Sequence, residues 1–411
     1  MENKKYYLGG ILTGILIAIL VGSGIYAGRQ IYEYQQLQLA SVEAATQTVV
    51  EEGTIVNDNT TTKMDLLQQS IEEYYYEDVD MADLEEGIYD GILDAIGDPY
   101  SEYYSPEELA EIMSQTQGIY YGIGAYIGID PKTELPQLSG IIEGSPAEES
   151  GLKTGDFIYK VDGEEIMGQD LSEVIAKVKG EEGTTVTLTI IRDGASDYIE
   201  VVVTRRKIES PTVTSKMYDN GIGYLRISEF DEVTLQQFNE AYTELNNSNM
   251  KGMVFDLRDN PGGNLSTVVE IAKQILPEGL IVYTEDKYGV REEYTCDGTN
   301  EIQIPLVVLV NGFSASASEI LAGAVKDYGI GTLLGTTTFG KGIVQRIISI
   351  NDGSAVKLTV SRYFTPSGNN IHGVGIEPDE TLELDQEKYL EDETDNQLNR
   401  AIEILTEKTS E

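Results

Sequence analysis

The apolar run Leu306–Val310 passes through Asn311-Gly312 and the small-residue stretch Ser314-Ala-Ser-Ala-Ser318 straight into a helical pattern over Ala317–Tyr328. Five consecutive aliphatic residues read as a strand buried on both faces. A strand that turns into a helix within so few residues is a unit of α/β architecture. The same alternation recurs upstream: a strand over Ile222–Ile227, a helix over 234–245, a strand over 252–257 and a helix over 264–276. Strands alternating with helices imply a core with substantial parallel pairing. The last strand-to-helix turn carries Ser316 at the positive end of a helix dipole, where an anion is stabilised.

Downstream, Gly340-Lys-Gly-Ile-Val-Gln345 reads as extended chain. Residues four apart in a strand share a side, so Lys341 and Gln345 are expected to face one site. A lysine serves as general base for a serine when burial lowers its pKa from about 10.4 towards neutrality. The single histidine, His372, is the rival base. Taken one at a time, each residue has a plainer reading: Ser316 as a packing residue, Lys341 as a surface lysine, Gln345 as a strand amide. Together, Ser314-Ala-Ser-Ala-Ser-Glu319 and the Gly-Lys-Gly-x-Val-Gln segment closely resemble the C-terminal processing peptidases, or tail-specific proteases. The resemblance implies Ser316 as nucleophile, Lys341 as base and Gln345 as the residue orienting it. It also implies an α/β protease core of crotonase/Clp-like type, and a structural role for His372.

Asp256-Leu-Arg-Asp-Asn-Pro-Gly-Gly-Asn264 links a strand to a helix. Glycines there bring backbone N–H groups close to a ligand at a helix N-terminus, which suits an oxyanion. The resemblance implies one oxyanion donor from this turn, Gly262 or Gly263, and the other from the N–H of Ala317. Arg258 and Asp259 read as structural charges.

Between residues 118 and 205 the pattern changes to short strands and glycine turns. Ser145-Pro-Ala, then Gly151-Leu-x-x-Gly-Asp156, then a helix over Leu171–Val178 and two strands closely resemble a PDZ domain. Such domains bind an extended peptide as an added strand, with backbone N–H groups capturing its terminal carboxylate. The matching loop is Gly122-Ile123-Gly124-Ala125, where glycine lets the backbone bend around the anion.

A formal charge of -43 excludes a nucleic-acid partner, which needs a basic footprint. One cysteine, Cys296, and one histidine leave no material for an internal disulfide or a cysteine- or histidine-based metal site, so neither metal nor cofactor is expected. The apolar stretch from about Tyr7 to Ala27, preceded by Lys4 and Lys5, matches the ~20 residues that span a bilayer. Lysines before the span keep the N-terminus cytoplasmic and export the rest. A single-pass anchor is therefore expected, with a cleaved signal peptide as the alternative.

The expected organisation is a cytoplasmic tip and anchor (1–29), a spacer (30–62), a helical region (63–117), a PDZ domain (118–205), a protease core (206–385) and a C-terminal helical tail (386–411). The helical region has little core of its own, and the resemblance implies that it contributes to a homodimer. The expected function is a membrane-anchored serine endopeptidase working outside the cytoplasm on protein or peptide substrates that it engages by their C-termini. A catalytically silent PDZ adaptor in the envelope is the alternative.

Overall fold

In a computed structural model of the protein, the described residues are 54–410. They divide into two compact units between Ile88 and Tyr89. The apolar stretch read as an anchor lies outside the described residues. Among those described, no helix is long and apolar enough to cross a membrane.

Helix α1 (Asp58–Tyr74) begins inside the Thr/Asn-rich patch expected to be spacer. Asn57 Oδ1 accepts from the N–H groups of Asn59 and Thr60, and Thr60 Oγ1 accepts from the Asn57 N–H at 3.0 Å. That reciprocal cap satisfies donors otherwise orphaned at a helix start, so the polar patch is the first turn. Helix α2 (Met81–Asp94) stops at Gly97-Asp-Pro99, where Gly97 takes a φ of 74°. A short strand β1 (Glu102–Tyr104) and helix α3 (Pro106–Gln117) follow, α3 ending on Gly118 in the left-handed region.

The PDZ-like module then runs through β2 (Ile119–Gly122), β3 (Ala125–Ile129), β4 (Pro136–Ile141), α4 (Pro146–Glu149), β5 (Phe157–Val161), β6 (Glu164–Glu165), α5 (Leu171–Val178), β7 (Thr185–Ile191), β8 (Ile199–Thr204) and β9 (Arg206–Glu209). Its sheet has the order β3-β4-β5-β7-β8, with β6 on β5, while β2 pairs with β9. Ile123, Leu138, Ile158, Val174, Val178, Leu188 and Ile190 form its core. The Gly-Asp signature has a structural cause: Asp156 is buried, accepts from the Lys153 N–H and binds Arg192 at 2.7 Å. Strand β3 ends the sheet, leaving one edge free beside α5.

The catalytic-type core comprises β10 (Val213–Met217), β11 (Ile222–Ile227), α6 (Thr234–Asn247), β12 (Gly252–Asp256), α7 (Leu265–Ala272), β13 (Gly279–Asp286), β14 (Arg291–Cys296), β15 (Leu306–Val310), α8 (Ala317–Tyr328), β16 (Thr332–Gly335), β17 (Ile343–Ser349), β18 (Ala355–Phe364), β19 (Glu380–Thr381), α9 (Gln386–Asp392) and α10 (Asn396–Ser410). Its main sheet has the order β10-β11-β12-β15-β16-β19, parallel except for β10. Alternate residues of β12 and β15 serve opposite faces. Met253, Phe255, Leu306, Val308 and Val310 pack with residues of α6, α7 and α8. Val254, Val307 and Leu309 pack with Ala401, Ile404 and Leu405 of α10.

The C-terminal segment expected as a helical tail is thus the second cover of the central sheet. A strand buried on both faces requires such a cover. A second sheet, β1-β18-β13-β14 with β17 also on β18, was not legible in the sequence; it carries the Lys341 segment.

Candidate active site

Ser316 sits between β15 and α8 with φ 52° and ψ −112°, a region an L-residue enters only when its surroundings hold it there. The holding groups are the flanking serines. Ser314 Oγ donates to Leu257 O at 2.8 Å and accepts from the Asn311 N–H, and Ser318 Oγ donates to Asn260 O at 3.0 Å. The Ala315 N–H also goes to Asn260 O. Ser316 Oγ donates to no described residue, so of the three serines its hydroxyl proton alone is uncommitted.

The opposing turn, Asn260-Pro-Gly-Gly263, is set by the same asparagine. Asn260 is buried; its Nδ2 donates to Ile227 O, and its Oδ1 accepts the Gly262 N–H at 2.8 Å. Gly262 has φ 108°, and a Cβ there would lie 2.7 Å from Ser316 Cβ and 2.9 Å from the Ala317 N. This close approach excludes any larger residue. The Gly262 N–H is committed inside its own turn. The N–H groups of Gly263 and Ala317 have no protein acceptor among the described residues.

Glu319, one turn into α8 and fully buried, ties the two halves of the site together. Its carboxylate accepts from the Ser316 N–H (2.9 Å), the Gly340 N–H (2.7 Å), the Lys341 N–H (2.9 Å) and the Thr338 hydroxyl (2.5 Å). Buried Tyr363 adds a bond from its hydroxyl to Ser316 O at 3.1 Å. Burial, and then the nearby Glu319, raise the phenol well above its usual pKa, keeping it a donor.

Lys341 is in the loop just ahead of β17, so it and Gln345 do not share one strand as expected. Its ammonium lies 4.8 Å from the ring centroid of Tyr100 and makes no hydrogen bond to Ser316 or Gln345. Gln345, on β17, faces Thr359 of β18, and its Nε2 is buried without a partner. Burial pushes Lys341 below its ordinary pKa and Lys357 adds to the shift, while Glu102, Asp98 and Glu319 oppose it. His372 is exposed; its backbone and Cβ lie against Gly342, and its side chain acts on Asp98.

In the module, Gly124 has φ 77° and a Cβ there would meet Ser145 at 2.3 Å. The carbonyls of Ile123 and Gly124 accept from Ala147 and Ile142. The N–H groups of Ile123 and Gly124 have no protein acceptor among the described residues, between Gly122 at the end of β2 and Ala125 at the start of β3.

Arg258 and Asp259 have structural surroundings. Arg258 binds buried Asp256 at 2.6 Å and Asp395, ahead of α10, at 2.7 Å, and also reaches Gln397. Asp259 exchanges two hydrogen bonds with Asn311.

Residues 221–382 match the model of peptidase family S41, residues 138–192 that of a PDZ domain, and residues 18–108 that of the activating protease CtpB N-terminal domain. Over 90% of its length the chain is 35% identical to the carboxy-terminal processing protease CtpB of Bacillus subtilis, spanning 76% of that protein. The chain belongs to peptidase family S41. Within that family it is a serine-type, carboxy-terminal processing endopeptidase with a PDZ domain. It is also 36% identical, over 77% of its length, to the carboxyl-terminal-processing protease of Synechocystis sp., spanning 75% of that relative. A solved structure described as an S41 protease from Bacteroides fragilis shares the fold at TM-score 0.51 and 17% identity, covering 81% of this chain and 98% of its own.

For this S41 peptidase, sequence reasoning overlooked Glu319, Asn260, Tyr363 and Tyr100. Only Glu319 carried a local signal: Ser316-x-x-Glu319 has the spacing of a capping box.

Proposed function

We propose that Ser316 attacks the scissile carbonyl while neutral Lys341 accepts its proton and then delivers one to the leaving amine. Gln345 orients the amine. The N–H groups of Gly263 and Ala317 receive the oxyanion, the Gly262 N–H being held by Asn260. The observation that carries this reading is the Ser316 hydroxyl left without an acceptor on a strained turn, with the Gly262 turn packed against it. The lowered Lys341 pKa supports the base assignment.

The PDZ domain engages the substrate C-terminus: the peptide adds along the free edge of β3, its carboxylate meeting the Gly122–Ala125 loop. The free Ile123 and Gly124 N–H groups support that reading. The parallel strand–helix core supports the crotonase/Clp-like relation. The lysines before the Tyr7–Ala27 stretch support a single-pass anchor in the cell membrane with the peptidase outside the cytoplasm. Exposed Leu67, Ile88 and Ile92 on the N-terminal helices support a homodimeric contact there.

The test uses an unfolded protein ending in an apolar residue, offered as the free acid and as the C-terminal amide. The wild type should cleave it, and Ser316→Ala should bind but not cleave. Amidation should weaken binding by about 1.5–3 kcal/mol, the worth of a charge-assisted hydrogen bond. Turnover by Ser316→Ala within a few-fold of wild type rules out the nucleophile. Equal affinity for acid and amide rules out terminal capture.

A further inference from the structure

We propose that Tyr100 is a positioning residue for the general base: its ring face holds the Lys341 ammonium off Ser316 and releases it when the lysine loses its proton. The proposal rests on Lys341 being the base. Lys341 Nζ lies 4.8 Å from the ring centroid, within the ~6 Å over which an aromatic quadrupole attracts a cation. A neutral amine loses that attraction, so ring contact and proton go together.

Tyr100 is anchored to present its ring. Asp98 accepts from the Tyr100 N–H at 3.2 Å and from the Ser101 hydroxyl at 2.7 Å, and Ser101 Oγ accepts from the Thr359 N–H at 3.2 Å. Immediately afterwards, Glu102–Tyr104 pairs with β18 at Ala355 to Lys357. The ring is thus fixed to the strand that also pairs with β17.

On that strand pair Gln345 lies opposite Thr359 just past a register shift; Gln345 Nε2 is buried without a partner, while the Thr359 hydroxyl lies beside Asp98. An orphaned buried polar atom is costly, and a neutral amine arriving beside Gln345 Nε2 relieves the cost. The lysine thus rests on the ring while the Gln345 amide is left unpaired. The charged groups facing Lys341 are Lys357, Glu102, Asp98 and Glu319. His372 faces Asp98 from the neighbouring loop. Lys357 is itself engaged by Glu102. Burial and Lys357 favour the neutral amine, whereas the carboxylates and the Tyr100 ring favour the ammonium.

The test is kcat/KM against pH, which reports groups of the free enzyme, on the full chain. Wild type, Tyr100→Phe, Tyr100→Leu and Lys341→Ala are compared. Removing the ring removes stabilisation of the charged form. The rising limb of Tyr100→Leu should therefore move to lower pH by roughly 0.4 to 1.5 units, while Tyr100→Phe keeps the wild-type midpoint. A Tyr100→Leu midpoint equal to wild type, with or without lost activity, overturns the proposal. So does an equal shift in the Leu and Phe variants. Tyr100→Met, apolar and without a ring, replaces the Leu variant if that one does not fold. Cleavage by Lys341→Ala would instead refute the base assignment, a separate failure.

Discussion

Ser314 and Ser318 hold the loop that carries Gly262 and Gly263, and Ser316 is left without an acceptor between them; what separates three serines in five residues is the partner each hydroxyl finds. Glu319 has the same kind of role on the other side, since its two oxygens accept four donors from the nucleophile turn and the lysine segment. Glu319→Gln supplies only one accepting oxygen and sets an NH₂ against donors. It should lower unfolding stability by roughly 3 kcal/mol, in line with bonds to a buried charge, and cut cleavage about 100-fold through misplacement of Ser316 and Lys341. Urea unfolding and initial rates measure both, and a variant matching wild type in each contradicts the staple. Ser316 was legible because its turn is local: an apolar run, a glycine, small residues and a helix. Tyr100 and Asn260 were not, because what defines them is a partner far away in sequence. The choice between Gly262 and Gly263 depended on a single side-chain bond from Asn260.

Elements whose period matched their burial were read closely: β11, β15, α5 and α8 have the expected bounds. The second sheet was not, because β14 exposes most of its residues and β17 buries only Ile343, so both are strands by pairing rather than by pattern. Helix α10 was read as a charged tail since its apolar residues are few. Of those few, Ala401, Ile404 and Leu405 are buried in the cluster over β12 and β15, with Leu398 and Ile402 packed against it. Leu405→Ala should cost about 2–5 kcal/mol of stability, the usual range for a fully buried leucine. Denaturant unfolding checks this; a loss under 1 kcal/mol would mean that α10 merely rests on the sheet. Through Asp395 the start of this helix also holds Arg258 and, with it, Asp256 at the end of β12.

At the scale of the molecule, the order of parts was readable because each has its own chemistry: a glycine-punctuated β module, then a strand–helix core with its nucleophile turn. The surplus of acid keeps the surface self-repelling and leaves recognition to backbone edges and shaped turns rather than to a charged patch. The proposed mechanism then turns on one lysine in a protein with a single histidine. The most direct measurement is cleavage by Lys341→Arg and His372→Ala across pH 6 to 10. Arginine cannot be deprotonated in a protein, so Lys341→Arg keeps the charge and should be inactive throughout. His372→Ala should keep most of the wild-type rate and its rise with pH to a plateau. Normal cleavage by Lys341→Arg, with His372→Ala inactive, would contradict the Ser316–Lys341 pair.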